Sequence, residues 1–195
     1  MPITKKQLYS IIIGILLIIF GANAKNYKIP TPKGYTSGIV YDRSIKTVPG
    51  QPIKVVEVID GDTVVLINGD HLRYVGIDTP EEFDERKPVQ CFAKEAAAKN
   101  KELVEGKMIT FQKDVSTFDK YGRWLGYVYL EDGTFVNLEL VKLGYAFSYP
   151  YPPDVSKQDI FHTAEVAARE QKLGLWSACS VNSLSTGREQ TNPAD

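Results

Sequence analysis

Short runs of alternating apolar and polar positions predict the elements of one small domain. Residues 53–59 are rich in β-branched side chains and read as a strand. Residues 63–67 and 71–77 read as two more, joined by Asn68-Gly69. Asn-Gly between β-branched runs signals a tight hairpin, because both residues tolerate the positive φ such a turn needs. Thr79-Pro80 ends the third strand, since proline offers no N–H to a ladder. Residues 90–105 are alanine-rich, carry Phe92, Ala96 and Leu103 near one face and stop at Gly106, which predicts a helix. Residues 108–115 and 125–130 predict a fourth and a fifth strand, and residues 136–143 a short helix stopped by Gly144. In residues 155–173, Ile160, Ala164, Ala167, Ala168 and Gln171 recur at helical spacing and predict a last helix ending at Gly174. Leu175-Trp176 is expected to pack back onto the body.

This order gives an α+β fold with three α-helices and a five-stranded β-barrel. Five strands must hide their edges, and closing them into a barrel does so. A helix between strands three and four is the OB-fold arrangement, whose barrels bind oligonucleotides or oligosaccharides.

The chain ends read differently. Lys5 and Lys6 precede an uncharged apolar run over residues 11–20, and Ala22-Asn23-Ala24 follows as a small-x-small site. Residues 1–24 therefore read as a secretory signal peptide, with an uncleaved membrane anchor as the alternative. Residues 25–50 hold Pro30, Pro32 and Pro49 without a sustained period and read as a linker or extension. The folded domain is expected over residues 51–179, and residues 180–195 as a frayed polar tail.

Composition adds two constraints. A net charge of −1 over 195 residues gives no hint of a polyanion partner, so a nucleic-acid reading must rest on a local cationic site. Cys91 and Cys179 are the two cysteines. Export permits a disulfide and an even count favours pairing, two separate buried thiols being the alternative.

The candidate chemistry lies in Val58-Ile59-Asp60-Gly61-Asp62-Thr63-Val64 and Arg73-Tyr74-Val75-Gly76-Ile77-Asp78-Thr79-Pro80-Glu81. A hairpin brings the start of its first strand beside the end of its second, so Asp62 and Asp78 become neighbours. Two such carboxylates repel unless a proton or a cation lies between them. With no His or Cys nearby, the cation is a hard one, Ca²⁺ or Mg²⁺, and the Thr79 carbonyl can add a third oxygen. Glu81, just past Pro80, can accept a proton from a water. Arg73 has the opposite parity to Asp78, so a regular strand turns it to the other face. Arg123 closes Asp119-Lys120-Tyr121-Gly122-Arg123, a loop the barrel can bring near.

Taken singly these features are ordinary. Asp60-Gly61 reads as a turn, Arg73 as an ion-paired surface residue, and Tyr149 and Tyr151 as packing aromatics. Taken together, a hard cation, a carboxylate base and two arginines match transfer of a phosphoryl group to water.

These motifs, in this order, with Leu143-Gly144 and Leu175-Trp176-Ser177, resemble the staphylococcal nuclease family over about residues 52–177. The resemblance implies an OB-fold nuclease that cleaves DNA and RNA with Ca²⁺ and leaves 3′-phosphates. It implies Asp62, Asp78 and the Thr79 carbonyl as calcium ligands, and Arg73, Arg123 and Glu81 as catalytic residues. It implies Lys120 and Tyr121 as substrate contacts, with Tyr149 and Tyr151 as base or sugar neighbours, although Pro150-Tyr151-Pro152-Pro153 departs from the family spacing. Residues 82–90 are unusually acidic for such a site. The expected protein is a secreted monomer with a nucleic-acid substrate and no obligate protein partner. It meets a membrane only if the N-terminal segment stays uncleaved. Two other classes compete: an OB module that binds without cleaving, and a tethered interaction protein.

Overall fold

The computed structural model describes residues 39–82, 88–185 and 187–194. The signal-peptide reading and most of the linker reading lie outside them.

Five strands close into a barrel in the order β1-β2-β3-β6-β5. They are β1 (Ile53–Val58), β2 (Thr63–Leu66), β3 (His71–Tyr74), β5 (Met108–Gln112) and β6 (Trp124–Leu130). Four pairings are antiparallel, and the parallel pairing of β3 with β6 is the seam that permits closure. Val55, Val64, Leu66, Leu72, Phe111 and Val128 fill the interior and are fully buried. The expected five-stranded α+β barrel is therefore observed. Helix α1 (Ala93–Val104) lies between the third and fourth barrel strands, and α2 (Val136–Lys142) and α3 (Gln158–Glu170) follow the fifth. A one-turn α4 (Leu175–Ala178) comes after them, with Leu175 fully buried as expected.

A turn forms at Asn68-Gly69, but it spans residues 67–70: β2 ends at Leu66, the Gly69 amide donates to the Leu66 carbonyl, and Gly69 alone takes positive φ, at 87°. The third strand, however, does not run on to residue 77. It breaks at Val75-Gly76, and Ile77–Asp78 becomes β4, paired antiparallel with β7 (Phe147–Ser148). Gly76 has φ 78°, and a Cβ there would meet the Phe161 ring at 2.4 Å, so α3 packs directly against the break. The freed Val75 carbonyl accepts from Asn137 Nδ2 at 2.9 Å.

Three other boundaries move for identifiable reasons. Helix α1 starts at Ala93 because Phe92 sits at φ 70° and the Cys91 amide is drawn to the Asn192 carbonyl. Helix α3 stops at Glu170 because the chain must pass Gly144: a Cβ on Gly174 would lie 2.2 Å from the Gly144 carbonyl oxygen. The fourth strand stops at Gln112, and the Val115 and Ser116 amides donate instead to Asp154.

Two domain limits also change. The compact unit begins at Ile39. Residues 39–50 dock on the β2–β3 hairpin, where Asn68 Nδ2 donates to the Ile45 carbonyl and Thr47 Oγ1 donates to Asp70. At the other end, the polar segment read as a frayed tail forms a hairpin of β8 (Val181–Ser183) and β9 (Glu189–Thr191). The Cys91–Cys179 disulfide pins its base. Cross-links supply the ordering that its few apolar side chains do not.

Candidate active site

The turn over residues 60–62 sets the first carboxylate. The Asp62 amide donates to Asp60 Oδ1, and the Asp60 carbonyl accepts from Asn100 Nδ2. Asn100 is fully buried on α1 and also accepts from the Tyr74 hydroxyl. Gly61 is required here because a Cβ would meet the Thr79 side chain at 2.7 Å. The two ends of the hairpin therefore lie against each other. Asp62 Oδ2 accepts from the Thr79 amide at 2.9 Å and from Thr79 Oγ1 at 3.0 Å.

Arg73 joins both ends. Its Nη1 lies 2.7 Å from Asp62 Oδ2 and its Nη2 lies 3.0 Å from Asp78 Oδ1. The break at Gly76 resolves the parity conflict by reversing the sense of the last two residues. Asp62 and Asp78 are each 4% exposed, so these carboxylates lie out of bulk water yet converge on one positive centre.

Crowded, buried carboxylates bind protons more readily. Burial first, and the Asp62 charge second, push Asp60 up to about 8. Burial raises Asp78 above the ordinary carboxylate value, Arg73 opposes that, and Asp62 adds to it. Burial raises Glu81 as well, helped by the charges of Asp62 and Asp78. The cluster thus favours added positive charge. The side-chain groups that converge here, apart from the arginines, are oxygen donors. Among the described residues no three His, Cys, Asp or Glu side chains converge as a metal-binding group.

Glu81 is held by Gln90 through two backbone bonds. Its amide donates to Gln90 Oε1 at 2.9 Å, and its carbonyl accepts from the Gln90 amide at 3.0 Å. Its carboxylate meets Arg188 Nη2 at 3.3 Å, and Arg188 Nε meets Asp78 Oδ2 at 2.6 Å.

A family model described as staphylococcal nuclease homologue matches residues 71–178. The thermonuclease of Staphylococcus intermedius is 33% identical over 139 residues, covering 70% of this chain and 82% of that relative. The thermonuclease of Staphylococcus hyicus is 35% identical over 130 residues, 65% of this chain and 76% of the relative. This chain belongs to the staphylococcal nuclease family.

It is accordingly a nuclease, with nucleic acid as substrate. Endonuclease YncB of Bacillus subtilis is a further relative, 41% identical over 124 residues, 61% of this chain and 58% of that protein. The family match starts at His71, so the Asp60-Gly61-Asp62 turn precedes it, and the Asp62 contacts above tie that turn to the matched part of the nuclease.

The second arginine of this nuclease sits on a separate loop. Arg123 Nε pairs with Asp119 Oδ2 at 2.7 Å, and Asp119 Oδ1 accepts the Tyr121 and Arg123 amides. The Tyr121 ring lies under both Lys120 Nζ, at 4.9 Å, and the Arg123 guanidinium, at 5.6 Å. No ion pair joins Arg123 to Asp62, Asp78 or Glu81 among the described residues. The parallel register pairs Arg73 with Leu125, and Arg123 immediately precedes that strand, which starts at Trp124. Tyr149 follows β7, the partner of β4, and its amide donates to the Gly76 carbonyl. Its ring lies 6.2 Å from that of Tyr151, which is 65% exposed.

Sequence reading missed Arg188, Gln90 and Asn100. Gln90 and Asn100 act through a turn and a helix face that only the fold aligns with the site. Arg188 stands 107 residues from Glu81. No local pattern marks it.

Proposed function

We propose that this nuclease is secreted, depends on Ca²⁺ and hydrolyses phosphodiester bonds of both DNA and RNA, leaving 3′-phosphates. The observation that carries the reading is the convergence of Asp62 and Asp78 on one positive centre. Asp62, Asp78 and the Thr79 carbonyl would hold the cation. When bound, it would neutralise charge developing on the phosphate oxygens, as hard cations do in such sites.

Glu81 takes a proton from the attacking water, and its raised pKa suits a group that must accept one. The new P–O bond forms in line with the bond to the 5′ oxygen, which breaks, and the 5′ oxygen departs as a hydroxyl after taking a proton from solvent. Arg73 and Arg123 donate to the non-bridging oxygens, which planar guanidinium forks match in geometry. Lys120 and Tyr121 line the approach beside Arg123, and Tyr149 and Tyr151 offer ring faces to a base or sugar. The active species is a monomer and needs no protein partner.

One feature supports secretion. Cys91 and Cys179 form a disulfide, a bond that persists in oxidising compartments. A cleavable leader over residues 1–24 would account for export, leaving residues 25–38 as an extension before the compact unit.

The test is digestion of single-stranded DNA and of RNA with Ca²⁺, with a chelator and with Mg²⁺, followed by end-group analysis. Cleavage of both in Ca²⁺ alone, leaving 3′-phosphates, is expected. Undiminished cleavage in chelator would overturn the metal role, and 5′-phosphate ends would overturn the direction of bond breakage.

A further inference from the structure

The C-terminal hairpin is fastened to the body at several points. The disulfide ties Cys179, two residues before β8, to Cys91. The Cys91 amide donates to the Asn192 carbonyl at 2.7 Å, and Thr191 Oγ1 donates to the Cys91 carbonyl at 2.8 Å. The Ala194 amide donates to the Val89 carbonyl, and Glu189 pairs with Arg169 at 2.7 Å. Cys91 adjoins Gln90, whose side chain and amide both grip the Glu81 backbone. From this anchored base the turn between β8 and β9 extends Arg188 to Asp78 and Glu81.

Glu81 needs such support. It follows a proline turn, and its side chain is 40% exposed, so by itself the carboxylate samples several rotamers. A general base works only within hydrogen-bond reach of the proton it removes. Arg188 offers separate donors to two carboxylates that repel each other, with its guanidinium carbon 5.8 Å from the Tyr149 ring centroid. One cation thereby fixes the distance between Asp78 and Glu81.

We propose that Arg188 is a positioning residue of the nuclease, delivered by the disulfide-anchored hairpin, that holds the Glu81 carboxylate in the orientation needed to activate water. The proposal rests on the role given to Glu81 above. It assigns the last fifteen residues a part in catalysis that their composition does not suggest.

The test compares the parent protein, Arg188→Ala, Arg188→Lys, Arg188→Gln, Glu81→Gln and the Arg188→Ala/Glu81→Gln double variant. For each, kcat and KM on single-stranded DNA are measured in saturating Ca²⁺, together with the melting temperature and the exchange rate of the Glu81 amide. Arg188→Ala is expected to lower kcat by roughly ten- to a hundredfold, because misplacing a reacting group costs about that much. KM should stay within about twofold in saturating Ca²⁺, since the proposal gives Arg188 no direct contact with substrate. Arg188→Lys should recover part of kcat, and the Glu81 amide should exchange faster in Arg188→Ala without a matching fall in melting temperature. The Arg188→Ala loss should vanish in the Glu81→Gln background, because residues that act as a unit are not additive.

A rise in KM at constant kcat would make Arg188 a substrate contact and overturn the proposal, as would a full multiplicative loss in the Glu81→Gln background. Arg188→Gln removes the charge and keeps an amide donor on a shorter side chain, and it decides the matter should the alanine variant unfold. If Glu81→Gln itself cleaves like the parent, the role of Glu81 falls and the proposal with it; if Glu81→Gln is impaired while Arg188→Ala cleaves like the parent, the proposal alone falls.

Discussion

Arg73 and Asp78 are joined by a 3.0 Å ion pair across a break in the strand at Gly76. The break is enforced from outside the hairpin, by the Phe161 ring on α3. Gly76→Ala would place a methyl group in that ring at a φ that L-residues rarely adopt. Overpacking and backbone strain together are expected to cost at least about 2 kcal/mol. Urea unfolding measures this, and activity should fall with it as Arg73 and Asp78 separate. A variant as stable and active as the parent would show that the break tolerates a side chain.

Arg123 depends on Asp119 for its place, and the paired guanidinium presents a planar fork. Arg123→Lys keeps the charge but loses that geometry. Its kcat is expected to drop on the order of a hundredfold, the usual cost of losing one donor aimed at a developing charge. Stability should barely change. Parent-like turnover would remove Arg123 from the catalytic set.

Glu165, which supports β7 from behind the site, offers a pH-dependent test of stability. It is 7% exposed, and its Oε1 accepts the Ser148 amide. Burial raises its pKa above the ordinary value of 4.5, against the lowering effect of that hydrogen bond. A raised carboxyl contributes stability that is full below the unfolded-state value and is lost as pH rises through the folded one. Glu165→Gln stays neutral throughout. Its stability relative to the parent should therefore improve as pH climbs from about 4 to about 8, measured by urea unfolding at each pH. A difference that stays flat would mean that the parent carboxylate ionises without penalty.

What sequence reading can reach depends on how local the cause is. Asp62 and Asp78 were legible as neighbours because the β2–β3 hairpin, with its Asn68-Gly69 turn, spans the stretch between them, although Asp78 itself lies beyond the break, on β4. The barrel followed from strand count and the need to close edges. The break at Gly76 was not legible, because its cause, Phe161, lies on a helix far along the chain. The docking of residues 39–50 was hidden in the side chains of Asn68 and Asp70, which look like ordinary turn residues until they bond back to Ile45 and Thr47. Arg188 was invisible for a similar reason: a polar, charged tail carries no hydrophobic period, and its order comes from a disulfide and backbone bonds to residues 89–91.

The central claim is that the hairpin ends hold a cation while Glu81 activates water, two separable roles. Calcium titration calorimetry beside single-stranded DNA hydrolysis, on the parent, Asp78→Asn and Glu81→Gln, tests it most directly. Asp78→Asn should weaken Ca²⁺ binding at least about tenfold, since it removes a charged ligand. Glu81→Gln should bind Ca²⁺ nearly as the parent does yet lose on the order of a hundredfold or more in kcat. Parent-like calcium binding by Asp78→Asn, or parent-like turnover by Glu81→Gln, would contradict the account.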